Sequence, residues 1–110
     1  MICQGDIYMA DLSPTHGHEQ SGYRPVLVLQ KDILNTNLST VIVIPLTTNL
    51  AAKGKLTTCF FPKEKTTLRS DSVALLYQMR AIDKDRLVKK IIQLPAQDVK
   101  EIKDQFVFLF

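Results

Sequence analysis

Glu19-Gln20-Ser21-Gly22-Tyr23-Arg24-Pro25-Val26-Leu27-Val28-Leu29 changes character at its middle. The first half is polar and turn-forming. The second half is the most continuous apolar run in the N-terminal third. Val26 to Leu29 shows no polar alternation, which predicts a strand covered on both faces. Such a strand fixes Arg24 at its mouth, with a polar loop over residues 15–23 just ahead of it. A guanidinium on a rigid frame beside a polar loop is one way to hold a phosphate.

The flanking chain supplies more strands. Gly5 to Leu12 is short and rich in aromatic and branched residues, and Ser13-Pro14 closes it. Pro25 to Lys31 is the second strand. Asp32 to Asn37 reads as a turn, or one helical turn capped by Asp32. Thr40 to Ile44 is a third strand, β-branched throughout, with Pro45 near its end. Thr57 to Phe61 is a fourth, stopped by Pro62. Lys63 to Arg69 is polar and reads as exposed. Ser72 to Tyr77 is a fifth strand, Asp83 to Arg86 a capped turn, and Lys90 to Leu94 a further short strand. From Pro95 the apolar residues Val99, Ile102, Phe106, Leu109 and Phe110 fall near a helical period. Pro95 at the first helical position and Asp98 in the first turn suit a helix start. Few connections are long enough for a crossover helix, so the sheet should be mostly antiparallel. The expected fold is mainly β (α+β): a small, strongly bent sheet or barrel with the C-terminal helix packed on it.

Composition narrows the function classes. The 110 residues, 45% hydrophobic and 23% charged, fit one domain over 1–110 with a substantial core. A net charge of +3 permits a polyanionic partner without requiring one. Cys3 and Cys59 form no C-x-x-C pair, Asp6 and Asp11 interrupt any leader-like segment, and no apolar run approaches a membrane span. The expectation is a cytoplasmic protein with reduced thiols and no membrane contact.

Several residues can carry chemistry. Arg24 is permanently charged; it can neutralise a phosphate bidentately and stabilise a pentavalent transition state, or it can simply cap a carbonyl or pair with Asp6 or Asp11. Thr47 and Thr48 follow a rigid strand and can donate to a phosphate oxygen, or satisfy the turn backbone. His16 and His18 can transfer protons near neutral pH. With Glu19 they form H-x-H-E, but no further ligand cluster supports a metal, so no metal or other cofactor is expected. Glu19 is a general base only if its pKa is raised. Gln20, Asn35, Asn49 and Gln78 are amides able to read base edges, and Tyr23 can stack on a base. The Lys89-Lys90 pair reads as a solvated face. There is no Ser/His/Asp set, no P-loop and no GxGxxG.

Four blocks together resemble the MazF/PemK family, the toxins of bacterial toxin–antitoxin pairs. They are Gly5-Asp6-Ile7-Tyr8, Gly17 to Val28, Ile44-Pro45-Leu46-Thr47, and Tyr77-Gln78-Met79-Arg80-Ala81-Ile82-Asp83 with Arg86-Leu87. The resemblance implies an SH3-like barrel of the MazF/PemK/CcdB toxin type with a C-terminal helix, acting as a homodimer. It implies metal-independent endoribonuclease cleavage of single-stranded RNA: the 2′-OH attacks the adjacent phosphorus, leaving a 2′,3′-cyclic phosphate and a 5′-OH. It places the family's arginine on Arg24 and its threonine on Thr47. The loop Gly17-His18-Glu19-Gln20, with Ser21 and Tyr23 following, matches the flap that contacts RNA, and Thr48, Asn35 and Gln78 join the expected RNA contacts. Some PemK-like members carry an aspartate base just before the glutamine of the Q-x-R block. Tyr77 stands there in this chain, so Glu19 and His18 remain as candidate bases. The expected partners are single-stranded RNA, a cognate acidic antitoxin and a second copy of the chain.

Three other readings exist for such a fold, one of them a toxin-like fold that has lost activity, which Tyr77 leaves open. A gyrase poison of the CcdB type carries a tryptophan at its binding end, whereas this chain has none and ends Phe108-Leu109-Phe110. A non-catalytic SH3-like nucleic-acid-binding module would keep a basic face but has no reason to combine Arg24 with Thr47.

Overall fold

The computed structural model describes residues 1–13, 17 and 22–110. Seven strands run in the order β1 Asp6–Asp11, β2 Tyr23–Val28, β3 Thr40–Thr47, β4 Thr58–Phe61, β5 Ser72–Leu75, β6 Arg80–Asp83 and β7 Leu87–Gln93. Three helices accompany them: α1 Asp32–Asn37, α2 Lys63–Thr66 and α3 Ala96–Gln105. Every pairing among them is antiparallel, in the order β4-β5-β3-β2-β1-β7, with β6 also paired to β3.

The central element is β3. One of its edges pairs with β2, Val43 to Pro45 against Val28 to Val26. Its other pairings are shared end to end: Thr40 to Val43 meet β6, and Leu46 and Thr47 meet β5. The strand therefore turns the sheet from one layer into the next near Pro45, whose missing N–H is tolerated at such a break.

The apolar run of β2 has the two covered faces its pattern predicts. Val26 and Val28 join Ala10, Leu12, Val41, Val43 and Ile82 in one core. Leu27 points to the other, with Ile7, Ile44, Leu46, Phe61 and Ile102. Ile102 brings α3 onto that second core, as its helical period requires. Lys65 Nζ pairs with the buried Asp98 Oδ1 at 2.8 Å and so ties α2 to α3. Gly5 adopts φ +95°, and a Cβ there would lie 3.1 Å from Val99 Cγ2, so this turn needs glycine to pass beneath α3.

The expected element bounds need several corrections. Strand β3 runs on to Thr47, so Pro45 and Thr47 lie within it. The strand expected over Ser72 to Tyr77 stops at Leu75, and a 3-10 turn, Leu76–Gln78, leads into the unforeseen β6. Strand β7 begins at Leu87 and contains Lys89 and Lys90. Asp32 opens α1 but does not cap it; its Oδ1 accepts the Gln4 N–H at 2.7 Å. Pro95 is the N-cap of α3 and not its first helical residue, so the helix starts one residue later than expected, at Ala96. Residues 63–69 contain α2, whose Thr66 is fully buried.

Two local features set stability in opposite directions. Asn35, expected as a base-reading amide, is buried at 4% exposure. Its Oδ1 accepts from Gln30 Nε2 at 2.9 Å, and its Nδ2 donates to the carbonyls of Gln30 at 2.9 Å and Ile2 at 3.3 Å. That is a correction: the amide is fully engaged inside the fold, pinning α1 to the N-terminus. Thr67 ends α2 in the left-handed region, φ 63°, a costly conformation for a β-branched residue.

Asn35→Ala should leave Gln30 partly unsatisfied and cost about 2 kcal/mol, a fall in Tm of roughly 8 °C by thermal melting. Thr67→Gly should do the reverse. Relief of about 1–2 kcal/mol of strain exceeds the extra chain entropy of glycine, and Tm should rise by about 2 °C. A lower Tm for Thr67→Gly would mean that the Thr67 hydroxyl, which donates to Thr66 O at 2.5 Å, outweighs the strain.

Candidate active site

The ladder between β2 and β3 sets Arg24 and Thr47 beside each other. Arg24 is the second residue of β2, opposite Ala10 of β1, and is partly buried. Its Nη1 donates to Leu46 O at 3.4 Å, which anchors the guanidinium to the strand that carries Thr47. Burial lowers its pKa from the ordinary arginine value, but an arginine remains charged at neutral pH. A partly desolvated cation is a stronger electrostatic partner than one in open water.

Thr47 is the last residue of β3. Its Oγ1 accepts the Asn49 N–H at 3.2 Å, while Asn49 Oδ1 accepts the Ala51 N–H at 3.1 Å and caps a 3-10 turn, Leu50–Ala52. These bonds orient the Thr47 hydroxyl by its lone pairs. Among the described residues its proton has no acceptor, so it can donate outward.

Tyr23, Arg24, Thr47 and Thr48 line one cleft of about 270 Å³, together with Pro25 and Ser72. Tyr23 is 59% exposed, so its ring is available for stacking. Ser72 was not singled out from the sequence. It is buried at the start of β5, where its hydroxyl donates to Ser70 O at 3.3 Å, and nothing in the sequence separates it from an ordinary strand serine.

The other expected residues fall elsewhere. Asn35 belongs to the buried network at α1. Gln78 lies on the 3-10 turn before β6, partly buried and bonded, and does not line this cleft. Tyr77, at the position where some family members carry aspartate, is 54% exposed on the same turn. His18, Glu19, Gln20 and Ser21, with His16, lie outside the described residues. The base of their loop is described: Leu12 N–H donates to Gly22 O at 3.0 Å and closes it beside Tyr23. Among the described residues no helix is long and apolar enough to cross a membrane.

This arrangement can hold an anion between a guanidinium and an outward hydroxyl. The chain is 41% identical over 104 residues to a protein named Endoribonuclease MazF from Staphylococcus saprophyticus, covering 94% of this chain and 87% of that one. Its fold is similar to the crystal structure of MazF from Deinococcus radiodurans, with a TM-score of 0.81, 27% identity, and coverage of 98% and 94% of the two chains. It is also similar to a chain of the MazE-MazF crystal structure from Deinococcus radiodurans, with a TM-score of 0.75, 25% identity, and coverage of 98% and 95%. A family model described as PemK-like, MazF-like toxin of type II toxin-antitoxin system matches residues 3–110. With that match over nearly its whole length, and with the cleft built from two of the blocks that carry the resemblance, this chain belongs to the PemK-like, MazF-like family of type II toxins.

Proposed function

We propose that this chain, as one domain over residues 1–110, is an endoribonuclease toxin that cuts single-stranded RNA without a metal ion and so arrests translation and growth. The observation that carries the reading is the shared cleft of Arg24 and Thr47. The substrate supplies its own nucleophile, so the protein needs no serine or cysteine at the site. The 2′-oxygen forms a bond to the adjacent phosphorus and the bond to the 5′-oxygen breaks. The 2′-OH proton passes to a base, and the departing 5′-oxygen gains one. The products are a 2′,3′-cyclic phosphate and a 5′-OH. DNA is excluded because it lacks the 2′-OH.

Charge builds on the non-bridging oxygens as phosphorus becomes pentavalent. Arg24 faces that charge and Thr47 donates to one oxygen, so both interactions strengthen in the transition state. Glu19 and His18 are the candidates for the proton transfer, and Gln20, Ser21, Tyr23, Thr48 and Gln78 for contacts to the strand. Asn35 leaves that set because its amide is engaged internally. The protein acts in the cytoplasm as a homodimer. The exposed apolar end of the chain, with Phe108 at 56% and Phe110 at 94%, is surface for a second copy to cover. Its activity is restrained by an acidic antitoxin, a partner suited to the +3 charge.

Incubation with a long, weakly structured RNA in EDTA, followed by primer extension and end analysis, tests this. Discrete cuts with cyclic-phosphate and 5′-OH ends are expected. Arg24→Ala should keep the fold and lose activity by about 10²–10³-fold. Absence of cleavage by the folded wild-type protein would overturn the reading. Full activity of folded Arg24→Ala would remove Arg24 from the mechanism.

A further inference from the structure

The Arg24–Thr47 cleft does not end where those residues do. A larger depression of about 590 Å³ shares Tyr23, Pro25, Thr48 and Ser72 with it. Its floor is apolar, made by Met9, Leu68 and Ile91, and its rim carries Arg69 and Lys89. A third depression of about 390 Å³ shares Thr48, Arg69 and Ser70 with the second and adds Lys63. Three hollows with common walls make one groove, and Arg69 lines two of them.

The fold places these residues together by register. Met9 of β1 lies between Pro25 of β2 and Lys89 of β7, paired with both. Lys89 is thus two strands from the Arg24 strand, or about 10 Å. Arg69 arrives from the other side, two residues after the left-handed turn at Thr67, whose own position lines the same depression. Among the described residues neither the Arg69 nor the Lys89 side chain makes an ion pair or hydrogen bond, and both residues are exposed. The acid nearest to Arg69 in sequence, Asp71, lines the third depression with it but makes no ion pair with Arg69; its Oδ1 accepts the Lys63 N–H at 2.9 Å.

We infer that Arg69 and Lys89 hold a second backbone phosphate of the RNA, flanking the scissile one, with the apolar floor beside Tyr23 taking the base between them. This rests on the ribonuclease reading above. Continuity with the Arg24–Thr47 cleft favours a nucleic-acid strand over an acidic peptide. A strand whose scissile phosphate sits at Arg24 must leave along the surface, and this groove offers cations at its rim and an exposed ring and apolar floor for stacking. Polyanion binding at such a site is a salt-dependent term independent of base identity.

The test measures binding of a non-cleavable 2′-O-methyl strand, spanning a mapped cleavage site, at several salt concentrations. Arg69→Gln should weaken binding about fivefold, and its log K against log salt slope should be shallower by about 0.7. Lys89→Gln should act in the same direction. Lys103→Gln removes the same charge from the exposed face of α3, away from the groove, and should change neither quantity. Strands with one neutral methylphosphonate linkage at successive positions locate the contact. Wild type should lose affinity when the linkage beside the scissile one is neutral, and Arg69→Gln should lose nothing further there. If Arg69→Gln matches wild type in affinity and slope while wild type still cuts RNA, the inference is wrong and the ribonuclease reading stands. If Arg69→Gln weakens only an oligoglutamate peptide, the groove end is a protein contact and the inference is equally wrong. A wild-type protein that neither cuts nor binds would overturn both.

Discussion

Val26, Leu27 and Val28 pair with Pro45, Ile44 and Val43 in a ladder whose side chains are buried on both faces. A one-residue slip would exchange the two faces of a strand and move Val26 and Val28 into the wrong core. The register is therefore strongly specified by packing, with no contribution needed from the site. Arg24 and Thr47 sit at adjoining ends of this ladder, so their separation is set by the core. A change of register large enough to part them would first expose several fully buried aliphatic side chains, each worth about 1.5–3 kcal/mol.

The groove depends on a different balance. Its cationic rim is exposed, and no buried ion pair holds Arg69 or Lys89 in place. What aims Arg69 is the backbone: α2 stops at a left-handed threonine, Thr66 is buried, and its hydroxyl accepts the Leu68 N–H at 3.1 Å. Glycine is the ordinary residue for such a helix end. Threonine holds the turn more stiffly at some cost in strain, and it lines the groove wall itself.

The sequence made the core legible and left the surface obscure, for a physical reason in each case. A four-residue aliphatic run without alternation can only be covered on both sides, and β2 shows it. The helical spacing of Val99 and Ile102 placed α3. Strand β6 escaped because only Ile82 among its four residues is buried, leaving nothing for a period-two pattern to show. Strand β7 began earlier than expected because its first four residues show no apolar period; Lys89 is exposed on an edge, and Lys90, read as solvated, instead pairs with the buried Asp6 Oδ1 at 3.2 Å. Of the candidate site, the placing of Arg24 and Thr47 in one cleft followed from the strands that carry them, with Thr48 just beyond the end of β3. Asn35 misled because a buried amide and a surface amide look alike in sequence; only the partners Gln30 and Ile2 distinguish them. Arg69 was invisible for the opposite reason, being one cation in a polar segment until the turn at Thr67 aims it.

With Tyr77 where the resemblance would allow an aspartate base, the proposed chemistry rests first on the charge-stabilising pair Arg24 and Thr47. A positioned general base contributes typically about 10²–10⁴-fold, and removing one preorganised donor to the developing charge costs about 10²–10³-fold. The two effects are comparable, so a chain can change the group that takes the 2′-OH proton and keep much of its rate if the charge-stabilising pair stays intact. Moving the proton acceptor from a 3-10 turn to the loop ahead of Arg24 would bring it to the segment that Leu12 N–H closes against Gly22 O.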